Sequence, residues 1–96
     1  MINGKATDFI ECLSYEDNYA IFRQQKFFFN GCQTQKDANG KTIYVRLEVY
    51  NLTNHSTAFS TTQNSTSDCL SAFQDAKIWD GKSFWEVEQE IEWVDN

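Results

Sequence analysis

The chain has 96 residues, is 41% hydrophobic and 16% aromatic, and carries fourteen acidic against eight basic side chains, for a formal net charge of −6. That length fits a single domain over residues 1–96, and the aromatic content excludes a disordered chain. The scattered Lys and Arg exclude broad binding to phosphate backbones, so no direct nucleic-acid contact is expected, whereas an acidic surface suits a basic partner.

Thr7 followed by Asp8, Phe9, Ile10 and Leu13 reads as an N-cap opening a short helix. Ser14 with Asp17 resembles a capping box for a second helix, but the aromatic and branched run Tyr19–Phe22 favours a strand. Arg23-Gln24-Gln25 then turns the chain into a second strand, Lys26 to Gln35, with a bend or bulge at Asn30-Gly31. Asn39-Gly40 predicts a type I′ hairpin turn. Beyond it the chain alternates, with Ile43, Val45, Leu47 and Val49 on a core face and Tyr44, Arg46, Glu48 and Tyr50 opposite.

Asn51 to Ser67 is rich in Asn, Ser and Thr and predicts a loop with a short edge strand near Thr57–Thr61. Ser67 caps a helix through Ala76, its apolar face made of Cys69, Leu70, Phe73 and Ala76. Asp80-Gly81 marks a turn, and Ser83 with Glu86 forms a capping box. After it two periodicities compete. Phe84, Val87, Ile91 and Val94 share a helical face, while Trp85, Val87, Ile91 and Trp93 alternate with Glu86, Glu88, Glu90 and Glu92 as in a strand. The cap favours helix to about residue 90 and extended chain from Ile91 to Val94. The whole predicts an α+β fold: a short N-terminal helix, a small antiparallel sheet of three to four strands, and C-terminal helices packed on one face.

The run Ala76-Lys77-Ile78-Trp79-Asp80-Gly81-Lys82-Ser83-Phe84-Trp85-Glu86-Val87, with Glu90-Ile91-Glu92-Trp93-Val94-Asp95, resembles the ending of small uncharacterised domains of bacteria and their mobile elements. The likeness extends loosely to Lys26-Phe27-Phe28-Phe29 and covers about half of the chain. It implies a bacterial or phage-related origin and transfers no catalytic or ligand residue.

Catalytic and metal chemistry finds little support. Gly81-Lys82-Ser83 ends like a phosphate-binding loop, but position 76 holds Ala where that motif needs Gly. Cys12, Cys32, Cys69 and His55 lack the close pair spacing of a zinc site, so no metal or other cofactor is expected and the thiols read as reduced. An odd cysteine count and no basic-then-apolar start at Met1–Lys5 point to a cytoplasmic protein. No apolar run nears the roughly 20 residues of a membrane span. Phe27, Phe28, Phe29, Tyr44 and Tyr50 lack the basic groove that base stacking needs, and read as core or half-exposed sheet residues.

Residues Trp79 to Asn96 hold all three tryptophans and six of the fourteen acidic residues against one lysine. Aromatic anchors among carboxylates suit protein binding. The expectation is a non-enzymatic interaction module or inhibitor, comparable by analogy to anti-CRISPR or toxin-immunity proteins. In it, Trp85 and Trp93 anchor a basic protein partner and Glu86, Glu88, Glu90 and Glu92 steer it. The competing reading is a homo-oligomer, such as a dimer, joined through the C-terminal strand. A third is a small-ligand or enzymatic domain using Cys32, His55 or Cys69.

Overall fold

The β-branched and aromatic residues on either side of Arg23-Gln24 pair as an antiparallel hairpin, β1 (Asn18–Phe22) against β2 (Gln25–Lys36). The computed structural model describes residues 2–94 and is α+β. Around this hairpin lie α1 (Ala6–Cys12), β3 (Thr42–Asn51), β4 (Ser56–Gln63), α2 (Thr66–Asp75), α3 (Phe84–Val87), a 3-10 turn (Glu88–Glu90) and β5 (Ile91–Val94).

The strands form one antiparallel sheet in the order β4-β3-β2-β1-β5. It has five strands where the sequence predicts three to four. The additional pairing is β5 on β1, in which Trp93 lies opposite Ala20 and Glu92 opposite Ile21. The capping box at Ser83 forms as expected, and the chain leaves the helical state at Ile91, so both competing periodicities are realised in succession.

Two turns exchange roles relative to the sequence reading. At Asn39-Gly40 only Gly40 has positive φ, at 80°, so the turn is not type I′. Asp37 organises it instead, its side chain accepting hydrogen bonds from the backbone N–H of Asn39 and of Lys41, with a register shift beside it. Positive φ at both central positions occurs at Arg23 (48°) and Gln24 (68°), between the paired Phe22 and Gln25, which is the type I′ pattern.

Helix starts also differ. The first helix begins at Ala6 behind Lys5 without a side-chain cap, rather than behind Thr7, and Ser65, not Ser67, caps α2 by accepting from the Asp68 N–H. The edge strand β4 is longer than the Thr57–Thr61 expected. Ile43 lies beyond the core near the end of the β2–β3 hairpin and is 53% exposed.

The bulge expected at Asn30-Gly31 is present. Asn30 pairs with Glu48 and Gln33 with Arg46, so Gly31 and Cys32 together oppose Leu47. The freed amides dock the segment after α1: Gly31 N–H donates to Asp17 Oδ1 and Cys32 N–H to the Leu13 carbonyl, each at 2.9 Å. A Cβ on Gly31 would lie 2.6 Å from the Glu16 carbonyl oxygen, so glycine permits this contact.

One hydrophobic core lies between the sheet and the helices. Phe27, Phe29, Val45, Leu47, Val49, Ala20, Phe22 and Ile91 supply the sheet side, and Phe9, Leu13, Cys69, Phe73, Phe84 and Val87 cover it. Trp79 is fully buried among Phe22, Phe27, Phe29 and Phe73, with ring centroids 5.1–6.4 Å apart. Rings of this size each bury a large apolar area, which weighs heavily in the core of a domain this small.

Candidate interaction surface

The three tryptophans occupy three environments. Trp79 is a core residue whose indole N–H has no partner among the described residues. Trp93 lies on the covered face of β5, half-buried, its ring 5.3 Å from that of Phe9 and its Nε1 donating to Asn18 Oδ1 at 3.0 Å. It serves the fold first, and Ala20 opposite it leaves room for the ring. Trp85 is 50% exposed on the single turn α3. Its Nε1 donates to Gln74 Oε1 at 2.9 Å and its ring stands edge-on to Phe84 at 5.0 Å, which fixes an exposed aromatic in one orientation.

The four glutamates do not form one uniform ladder, because the chain passes from helix through a 3-10 turn to strand beneath them. Glu86 turns back to accept from the Ser83 N–H at 2.9 Å, and this bond holds its carboxyl below the ordinary range. Glu90 is gripped by Arg23, which lowers it likewise. Glu88 is half-buried, with Oε2 out of solvent and without a partner among the described residues, beside a cavity lined by Gly4 to Asp8. Glu92 projects from the exposed face of β5.

A second aromatic feature crosses the open face of the sheet. Tyr19 pairs with Phe28 and Phe28 with Tyr50, giving a row with centroids 5.1 and 6.2 Å apart. Lys26 Nζ lies 5.0 Å from the Tyr19 ring. All three rings are half-buried by one another. The sequence reading missed this row, since Phe27, Phe28 and Phe29 are indistinguishable until strand pairing sends Phe28 outward alone. The period-2 rule contains the signal once the strand phase is known.

The residues considered for chemistry remain apart from this surface. His55 is exposed in the β3–β4 turn with φ 58°. Cys12 contacts the Tyr15 hydroxyl at 3.6 Å. Burial pushes the Cys32 thiol up to about 11 and raises Cys69 as well. Among the described residues no cluster of His, Cys, Asp and Glu is arranged to hold a metal ion, and no helix is long and apolar enough to cross a membrane. No family model, curated protein or solved structure matches the chain.

Proposed function

We propose that the chain is a non-enzymatic protein-interaction module that docks on a basic partner through the surface centred on Trp85. The observation that carries this reading is the combination of 50% exposure with fixed orientation at Trp85. An exposed indole already held by Gln74 and Phe84 loses little side-chain freedom on binding, which is what makes rigid aromatic anchors effective. Glu86, although bonded to Ser83, keeps its charge, and the chain's net charge of −6 speeds encounter with a basic surface. Trp93 enters the proposal only as a support for β5, and Glu90 as part of an internal ion pair.

The test is capture of partners from a host lysate with the parent chain and with Trp85→Ala, at low and at high salt. A basic protein retained by the parent, lost with Trp85→Ala and weakened by salt supports the reading. Equal recovery by both chains, or recovery of the protein itself alone, overturns it. The latter result favours self-association through the sheet, for which the Tyr19–Phe28–Tyr50 row provides a partly apolar face.

A further inference from the structure

The dipeptide Asn-Gly occurs three times in the chain, at Asn3-Gly4, Asn30-Gly31 and Asn39-Gly40. A glycine after asparagine leaves the next backbone nitrogen unshielded by a Cβ, so that nitrogen can close on the side-chain amide carbon of the asparagine. The fold gives the three copies different freedom. Asn30 is paired with Glu48 in the sheet, its Oδ1 accepts from Gln33 Nε2 at 2.9 Å, and the buried Gly31 donates its N–H to Asp17 Oδ1 at 2.9 Å. Both reacting groups are held there. At Asn3 the side-chain nitrogen donates to the Trp93 carbonyl at 2.6 Å, which ties the amide to β5. Asn39 and Gly40 are exposed at the end of the β2–β3 hairpin, outside the paired strands, and a Cβ on Gly40 would meet nothing within 4 Å. The Asn39 side chain makes no hydrogen bond among the described residues. Its backbone N–H donates to Asp37 Oδ1 at 2.9 Å, and the Gly40 N–H donates to the Asp37 carbonyl at 3.0 Å.

We propose that Asn39 is a modification site, at which the folded chain loses the side-chain amide as ammonia and gains aspartate or isoaspartate, while the fold protects Asn3 and Asn30. In the first step hydroxide takes the Gly40 amide proton, giving water, and the Gly40 nitrogen attacks Asn39 Cγ. The new C–N bond closes a succinimide ring. The Cγ–Nδ2 bond breaks, and Nδ2 leaves as ammonia with a proton from water, which restores the hydroxide. Water then adds to one of the two ring carbonyls. Breaking the bond from Cγ to the Gly40 nitrogen gives aspartate, and breaking the bond from the Asn39 main-chain carbonyl carbon gives isoaspartate, with the backbone routed through Cγ. One water is consumed and one ammonia released, with no change of oxidation state. At Asn39 the bond that must open first is that of the Gly40 N–H to the Asp37 carbonyl, in an exposed turn. At Asn30 the bulge must first come away from Asp17 and from the Glu16 backbone, which requires part of the sheet to open. The product sets a second carboxylate near Asp37, whose side chain orders the turn through the amides of Asn39 and Lys41.

The test ages the purified full chain in mildly alkaline buffer, folded and in guanidinium chloride, and follows each site by peptide mapping. The reaction is read as the mass gained when an NH2 group is replaced by OH, and isoaspartate is identified by isoaspartyl-specific methylation. In guanidinium chloride the three Asn-Gly sites should react at similar rates, since the fold no longer distinguishes them. In the folded chain Asn39 should react first, more than about tenfold faster than Asn30, because a loop tip opens far more readily than a core strand. Asn39→Gln, at an exposed position outside the core, should abolish the early mass gain of the folded chain. The proposal is overturned if Asn39 is not the first site to react in the folded chain, if its rate relative to Asn30 is the same folded and denatured, or if the early mass gain survives in Asn39→Gln.

Discussion

Arg23 holds Glu90 with two nitrogens, Nε at 2.8 Å from one carboxylate oxygen and Nη2 at 3.1 Å from the other, while its Nη1 reaches Asp80 at 2.7 Å. The pair joins the β1–β2 turn to the 3-10 turn that launches β5. Arg23 and Asp80 both have left-handed backbone, with φ of 48° and 55°. The cluster therefore links two turns in each of which a non-glycine residue holds left-handed backbone, and the forked geometry of guanidinium on carboxylate supplies direction as well as attraction.

The first prediction concerns pH. The hydrogen bond from Arg23 holds the Glu90 carboxyl below its ordinary value of 4.5. A carboxyl depressed in the folded state contributes stability that is present above the unfolded value and is lost as pH falls through the lower folded value. Melting temperatures of the parent and of Glu90→Gln should therefore differ at neutral pH and converge as pH falls through the depressed folded value of the Glu90 carboxyl. The gap should also narrow in high salt, since the groups are exposed. A gap that stays constant with pH and salt would show that the contact is not electrostatic.

The second prediction concerns the strained turn. Left-handed backbone costs a non-glycine residue about 1 kcal/mol, and Gln24 with φ 68° carries that cost at the second central position of a type I′ turn, where glycine is the favoured residue. Gln24→Gly should raise stability in urea titration by up to about 1 kcal/mol, offset in part by the freer unfolded chain. Arg23→Gly at the neighbouring position should instead lower stability at neutral pH, because it removes the grip on Glu90 and Asp80. If both glycine variants gain stability, the ion cluster contributes nothing to holding the turn.

These two turns also show how far the sequence could be read. The hairpin partners, the bulge at Gly31, the capping box at Ser83 and the helix-to-strand change near Ile91 all rest on short-range patterns, and each is found in place. Residue preference places the type I′ turn at Asn39-Gly40, but the type I′ pattern is found at Arg23-Gln24, where Arg23 also reaches Asp80 and Glu90 across the fold. The candidate site was less legible. Trp93 meets Asn18 75 positions away, a contact no local window holds. Cys32 packs against the core because a bulge shifts strand phase by one residue, and the side chain that phase turns inward is known only once the register is known.

The third prediction tests that bulge. A Cβ on Gly31 would lie 2.6–2.9 Å from backbone atoms of Glu16, which cannot rotate away as a side chain would. Gly31→Ala should cost about 1–3 kcal/mol in chemical denaturation, as overpacking does, and should loosen the amide of Cys32 from the Leu13 carbonyl. Amide hydrogen exchange at Cys32 reads this directly. Unchanged protection there with unchanged stability would mean that the segment before β1 moves aside at no cost.

A fourth prediction separates packing from polarity at Trp79. The ring fills the centre of the aromatic cluster, but its buried N–H finds no partner among the described residues. Trp79→Ala should cost about 3–5 kcal/mol, the range for emptying a large aromatic site. Trp79→Phe leaves a smaller void and also removes the unpaired donor, whose burial costs about 1–3 kcal/mol, so its loss should be well under half of the alanine value. Equal losses for the two substitutions would mean that the indole nitrogen is satisfied in solution.

The last prediction bears on the docking surface. Trp79 is shielded, Trp93 is half-buried against Phe9, and Trp85 is the indole most open to solvent. Acrylamide, a neutral quencher insensitive to the chain's net charge of −6, should therefore quench the emission mainly through Trp85. Trp85→Phe should shift the remaining emission to shorter wavelength and remove most of the quenchable fraction, while Trp93→Phe should leave that fraction and destabilise the fold by about 1–3 kcal/mol through the orphaned Asn18 oxygen. If Trp85→Phe leaves quenching unchanged at every protein concentration, Trp85 is covered within the monomer and cannot serve as an anchor. If quenching through Trp85 is present only in dilute solution, a second copy of the chain occupies the surface instead of a basic partner.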